Sequence, residues 1–308
     1  MSASPTAVEQ YLTTRRALGF KLKPDGRMLL DFVGYLERSA ASTVTTELAV
    51  AWARQPTSAH PRWWHRRLGV VRGFARYLQP FDPATEVPPT DLLPCHDRRT
   101  TPYLYSSTDI DELVQAASRL RSPLQAATYQ TLIALLMVTG LRIGEACRLD
   151  RDDVDLDTGV LTVVGAKFGK SRQVPLHDST VAALATYTRR RDQLCPWPLT
   201  SSFLISAARN RVPATGACQV FARLLNTTQV RAPAGRRRPR LHDMRHSFAV
   251  ASLLDWYRAG ADVPVRLPLL STYLGHVDPK STYWYLQAAP ELLALAAERL
   301  ERSLRPLP

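Results

Sequence analysis

Apolar positions recur with helical spacing over most of the first eighty residues. Val8, Tyr11 and Leu12 open an amphipathic pattern that stops near Gly19. Leu29, Leu30, Phe32, Val33 and Leu36 make a second, and a third lies near Glu47 to Trp52. A fourth, Pro61 to Leu78, sets Leu68, Val71, Phe74 and Tyr77 on one face and Arg62, His65, Arg66, Arg67, Arg72 and Arg76 on the other. The periodicity then ends. Gln79-Pro80-Phe81-Asp82-Pro83 and Val87-Pro88-Pro89 are Pro-rich and extended, the composition of a linker. The division predicted is a helical domain over 1–80, a linker over 81–105 and a second domain over 106–308.

The second domain predicts helices with one small hairpin. A helix opens near Thr108, capped by Ser107 or Thr108, and Leu124 to Val138 is so evenly apolar that it belongs at the buried centre. That run ends at Thr139-Gly140, Arg142 follows, and a short helix carries Glu145. Val160 to Val164 and Arg172 to Leu176 read as two antiparallel strands joined by Gly165-Ala166-Lys167-Phe168-Gly169-Lys170-Ser171, with lysines at the tip. Helices follow from Asp178 to about Gln193, from Gly216 to Asn226, and from Leu241 to Ala259. Pro290 starts a terminal helix with Leu293, Ala297, Leu300 and Leu304 along one stripe.

Charge narrows the partners. The 308 residues carry a formal net charge of +13, an excess that points to an anionic partner, most often nucleic acid. Arginines of the fourth helix lie beside Trp63 and Trp64 with no acidic residue between them. Arg62, Arg66, Arg67, Arg72 and Arg76 are therefore expected on a phosphate-contacting surface, the alternative being a solvated charged face. Lys170 and the run Arg236-Arg237-Arg238 are further candidates. Cys95, Cys147, Cys195 and Cys218 are not spaced as metal ligands or as a disulfide framework, so no zinc site is expected. With no apolar run long enough to span a bilayer and no signal-like start, a cytoplasmic, nucleoid-associated protein with no membrane partner is expected.

One stretch concentrates the chemistry. Leu274-Gly275 reads as a helix end at a glycine stop, His276 as an exposed corner, and Asp278-Pro279 as a turn. Ser281 can cap a short helix bearing Tyr283, Trp284 and Tyr285. A phenol is a poor nucleophile near neutral pH unless other groups activate it and hold the charge on its target. Arg142 and Arg245 offer planar forks for phosphate oxygens, Lys167 a proton for a leaving oxygen, and His242 and His276 further donors. Positions two apart on a helix face roughly opposite ways, so only one of Tyr283 and Tyr285 can point at such a target.

In order and local wording these residues resemble the tyrosine recombinases, or phage-type integrases. Thr139-Gly140-Leu141-Arg142-Ile143-Gly144-Glu145 looks like the family's first arginine motif, His242-Asp243-Met244-Arg245-His246 is similar to its His-x-x-Arg motif, and Leu274-Gly275-His276 with Tyr285 matches its histidine and nucleophile. The resemblance covers about residues 106–288; Met244 stands where the family commonly has leucine. It implies a mainly α fold with a small antiparallel sheet, a helical DNA-binding domain followed by an α+β catalytic domain. It further implies attack by Tyr285 on a DNA phosphate to give a 3′-phosphotyrosine, with Arg142, Arg245, His242 and His276 holding the phosphate, Lys167 as general acid, and neither a metal nor a cofactor required. Lys170 is close enough to take the lysine's role instead, and Glu145 is expected as a buttress. The implied partners are double-stranded DNA with inverted-repeat or core sites, a homotetramer on two duplexes through the terminal helix, and accessory proteins. A type IB topoisomerase-like enzyme and a non-catalytic DNA-binding protein on the same fold are the alternatives.

Overall fold

The computed structural model describes residues 2–20, 22–93, 101–165, 171–276, 278, 280–286, 291–295 and 297. The chain divides into two compact units, Met1–Arg99 and Thr100–Pro308. Among the described residues no helix is long and apolar enough to cross a membrane.

The first unit holds α1 (Pro5–Ala17), α2 (Lys23–Arg38), α3 (Thr46–Arg54) and α4 (Pro61–Leu78). Ser4 and Thr45 cap α1 and α3 by accepting from Ala7 N and Leu48 N, and prolines occupy the first turns of α1, α2 and α4, where a missing N–H costs nothing. The apolar stripes meet in one core of Val8, Leu12, Leu29, Phe32, Val33, Leu36, Trp52, Leu68, Val71 and Phe74. The Pro-rich stretch after α4 folds back onto these helices. Arg72 Nε and Nη2 donate to the carbonyls of Pro88 and Pro89, both at 2.6 Å, and Leu93 is buried in the same core. Glu86 N donates to Val44 O, and its carboxylate accepts from Thr46 N at the start of α3.

The second unit is built around α6 (Pro123–Thr139), flanked by α5 (Ser107–Ser118), α8 (Asp178–Leu194) and α10 (Leu241–Arg258). Its even apolarity is explained by neighbours on several sides: Leu132, Ile133, Leu135 and Leu136 are all at most 1% exposed. Ser106 caps α5 in a reciprocal box with Asp109, one residue before the expected cap, and His177 rather than Asp178 caps α8. The short α7 (Ile143–Ala146) follows α6. The strands β2 (Val160–Val163) and β3 (Arg172–Pro175) pair antiparallel with Leu161 opposite Val174. A third strand, β1 (Val154–Asp155), pairs with β2; two residues are too few for any alternation to mark it in advance. The fold is thus mainly helical with a small antiparallel sheet, as read. The helices α9 (Ala214–Asn226), α11 (Val263–Leu274) and α12 (Lys280–Leu286) complete the described elements. Pro264 to Leu269 form the first turns of α11, with Asp262 as cap and Pro268 inside the helix. Because α12 begins at Lys280, Ser281 lies within it and is not the cap.

Candidate active site

Two glycine stops make the frame. Gly140 ends α6 at φ 59° and Gly275 ends α11 at φ 66°, both in the left-handed region that a side chain disfavours. A side chain would also force its neighbours to shift. A Cβ on Gly140 would lie 2.5 Å from Phe248 Cδ1, and one on Gly275 would lie 2.8 Å from Arg172 Nη1.

Arg245 ties the two stops together. Buried in α10 at 2% exposure, it donates from Nη1 to Gly140 O at 2.8 Å and from Nη2 to Leu274 O at 2.6 Å. Burial and the neighbouring Arg142 charge push it down to about 10, so it remains a cation near neutral pH. Arg142, at the N-cap of α7, donates from Nη1 to Glu145 Oε1 at 2.7 Å and from Nη2 to Gly275 O at 3.1 Å. Glu145 is a buried anion. Burial acts to raise its carboxyl, but hydrogen bonds from Arg172 and Arg142 outweigh that and hold it at about 2. Three guanidinium groups around one carboxylate leave an excess of positive charge at this corner.

Tyr285 lies against that corner. It is 2% exposed, whereas Tyr283, on the other side of α12, is 53% exposed. The Tyr285 ring stacks on His276 with centroids 5.9 Å apart and meets His246 edge-on at 5.4 Å. Burial raises its phenol above the usual range, while Arg245 and then Arg142 act against the rise. Nδ1 of His276 is 2.7 Å from Thr282 Oγ1. Burial, with Arg245 and Arg142 nearby, drops His276 to about 4. His242 stands farther out, exposed on the first turn of α10, edge-on to His246 at 4.9 Å. Shielding of its ring and the Arg245 charge lower it as well. With Ile143, Phe221, Leu225 and Arg240 it lines an apolar cavity of about 440 Å³.

Of the expected site residues, then, Arg142, Arg245, His276 and Tyr285 gather at one corner and His242 sits at its edge. Lys167 and Lys170 lie outside the described residues. Among the described residues no three His, Cys, Asp or Glu side chains gather to hold a metal ion. Two residues of the corner are not foreseen by the sequence reading. Arg172 donates from Nη1 and Nη2 to Glu145 at 3.2 and 2.9 Å and from Nε to Tyr273 O at 2.8 Å. His246 has a buried Nδ1 with no partner, and burial with His242 beside it brings the ring to about 3. His246 follows Arg245 directly, within the motif itself; Arg172 opens β3, 27 residues after Glu145, and no local pattern joins them.

The expected DNA-contacting arginines divide. Arg67 and Arg72 are buried inside the first unit and must be corrected: Arg67 lies 3.6 Å over the Trp52 ring and donates to Trp52 O, and Arg72 holds the two proline carbonyls. Their positions on α4 turn them toward the core, which helical clustering of arginines does not reveal. Arg62, Arg66 and Arg76 are exposed, with Arg66 paired to Asp25 at 2.8 Å. Arg236 and Arg237 are exposed, while the exposed Arg238 is tied to Ala222 O and Asn226 Oδ1 on α9.

A family model described as the phage integrase family matches residues 105–291. The chain belongs to this family, the tyrosine recombinases. It is 47% identical to y4rB of Sinorhizobium fredii (strain NBRC 101917 / NGR234), a protein named as an integrase/recombinase, over 98% of each chain. In fold it is similar to the XerH site-specific recombinase solved on a palindromic difH substrate, with TM-score 0.67, 18% identity and coverage of 97% of this chain and 85% of that one. A lambda integrase tetramer solved on a Holliday junction gives TM-score 0.61 at 16% identity, covering 89% of this chain and 77% of that one. This recombinase is accordingly an enzyme of DNA strand cleavage and rejoining, and DNA is its partner.

Proposed function

We propose that this recombinase breaks DNA through a 3′-phosphotyrosine formed on Tyr285. The phenol gives up its proton to solvent as its oxygen attacks the phosphorus and the bond to the 5′ oxygen breaks, and that oxygen leaves as a hydroxyl with a proton from Lys167. Arg142 and Arg245 hold the non-bridging oxygens, where charge grows in the transition state, and His242 and His276 add donors. A 5′-hydroxyl from a second duplex then attacks the ester, re-forming a phosphodiester and returning the tyrosine. Ester exchange conserves the number of bonds, so no nucleotide cofactor enters.

The observation that carries this reading is Arg245, a cation pinned between the Gly140 and Leu274 carbonyls with the Tyr285 phenol in its field. Pinning fixes the charge before DNA arrives, so little reorganisation is needed at the moment of reaction. The test is a nicked duplex that traps the covalent protein–DNA adduct. Tyr285→Phe should give no adduct while retaining DNA binding, and Tyr283→Phe should form it. An adduct with Tyr285→Phe, or its loss only with Tyr283→Phe, refutes the assignment.

Strand exchange is proposed to occur in a homotetramer on two duplexes. Leu293 is 54% exposed and Ala297 is exposed, whereas Leu292 is buried against Tyr285 and its neighbours. The stripe begun by Leu293 and Ala297 therefore faces away from its own unit, as a surface for an adjacent subunit requires. Leu300 and Leu304, which continue it in sequence, lie outside the described residues. Leu293→Glu is expected to bind a single site yet fail to pair two duplexes, scored by gel shift; normal pairing would leave the stripe without that role.

A further inference from the structure

Arg142 has two anchors, and one residue stands behind both. Its Nη1 holds Glu145 and its Nη2 holds Gly275 O. Arg172, from β3, forks onto both oxygens of Glu145 and donates from Nε to Tyr273 O. The same guanidinium lies so close to Gly275 that a Cβ there would meet it at 2.8 Å. We infer that Arg172 is a positioning residue for the reaction: it fixes Glu145 and the Tyr273–Gly275 corner, and through them aims Arg142 at the scissile phosphate.

The charges explain why a second guanidinium is needed. A buried Glu145 paired to Arg142 alone would cancel the cation that the phosphate requires. With Arg172 sharing the carboxylate, the group of two cations and one anion keeps a net positive charge, and it lies on the Arg142 side, since Arg172 is turned inward with an 11% exposed side chain. The planar fork also matters: it spans both carboxylate oxygens while its Nε reaches Tyr273 O, three directions that an ammonium cannot serve in one plane. Arg172 further ties the strand leaving the hairpin tip to the corner that precedes His276.

This inference rests on Arg142 neutralising the phosphate, and the experiment separates the two. Single-turnover cleavage is measured on a nicked duplex carrying the site mapped for the wild-type protein, once with an ordinary scissile phosphate and once with a methylphosphonate, whose neutral group needs no cation. Arg142→Ala should be slow on the phosphate and recover on the methylphosphonate; failure there refutes the reading of Arg142 itself. Arg172→Ala should lose about 10–100-fold on the phosphate, the usual cost of removing a group that orients a working ligand, and recover on the methylphosphonate. The double variant should be no slower than Arg142→Ala alone. Equal losses of Arg172→Ala on both substrates, or losses that multiply in the double variant while Arg142→Ala recovers, overturn the inference. Arg172→Lys, which keeps the charge and loses the fork, supplies the same comparison if the alanine variant does not fold: a defect that vanishes on the methylphosphonate supports positioning, and a defect equal on both substrates, or none, overturns it.

Discussion

Arg72 in the helical unit and Arg245 in the catalytic unit make nearly the same bonds. Each is buried, and each donates to two backbone carbonyls at 2.6–2.8 Å. Their surroundings differ. Arg72 holds prolines, whose carbonyls have no neighbouring helix or strand to satisfy them, and its work ends there. Arg245 lies beside Arg142, His276 and Tyr285, so the same bonds that secure the backbone also aim a charge. A buried guanidinium on carbonyls is thus a fastening in one unit and part of a candidate anion site in the other. Only the groups around it tell which.

That contrast can be broken by substitution. Arg245→Ala should lower single-turnover cleavage by about 10²–10³-fold, the range for loss of one fixed donor at developing charge. Arg72→Ala should leave cleavage by the folded protein unchanged and lower stability by about 1.5–3 kcal/mol, the range for hydrogen bonds to charged groups. Thermal melts and trapped-adduct rates measured together decide the point: a cleavage defect in Arg72→Ala without a lower Tm would erase the distinction. Arg67→Ala should behave like Arg72→Ala, since its cation sits over Trp52. The exposed arginines sharpen the contrast from the other side. Arg76→Ala or Arg236→Ala should keep the Tm and reduce the log–log salt slope of DNA binding by about 0.9 for each phosphate that is no longer neutralised.

A separate effect is expected on acid stability. His276 and His246 are held at about 4 and about 3, below their usual value, so the unfolded chain takes up protons before the folded one. Their contribution is complete above the unfolded value, near pH 6.5, and is lost as pH falls toward 4 and then 3. The DNA-free Tm should therefore be level above that pH and decline below it, and His246→Phe should shrink the decline. An unchanged decline in His246→Phe would mean that other groups govern it.

The parts legible in the sequence are those written in short-range patterns. Helical spacing marks α1 to α4 and the apolar α6, and Gly140 and Gly275 are recognisable as stops because a left-handed residue after an apolar run has few other uses. Arg142 and Glu145 are three apart at a helix start, so their pairing can be anticipated. Interactions made across the fold are hidden. The Arg172 fork onto Glu145 needs the hairpin to return beside α7, and the inward turn of Arg67 and Arg72 depends on helices packed against α4. The cap of α5 falls one residue before its expected place because three hydroxyl residues stand in a row at Ser106-Ser107-Thr108.

The burial of Tyr285 bears on how a cut duplex survives. In the proposed reaction the severed strand is stored as an ester on a side chain that is only 2% exposed in the DNA-free protein. Water and the incoming strand compete for that phosphorus, and water is always the more abundant. An ester kept among His246, His276 and Trp284 is poorly reached by small stray nucleophiles, while a strand end delivered by its own duplex arrives already aligned. Seclusion of the phenol thus works as custody of the break: it favours resealing over a permanent lesion without any added source of energy.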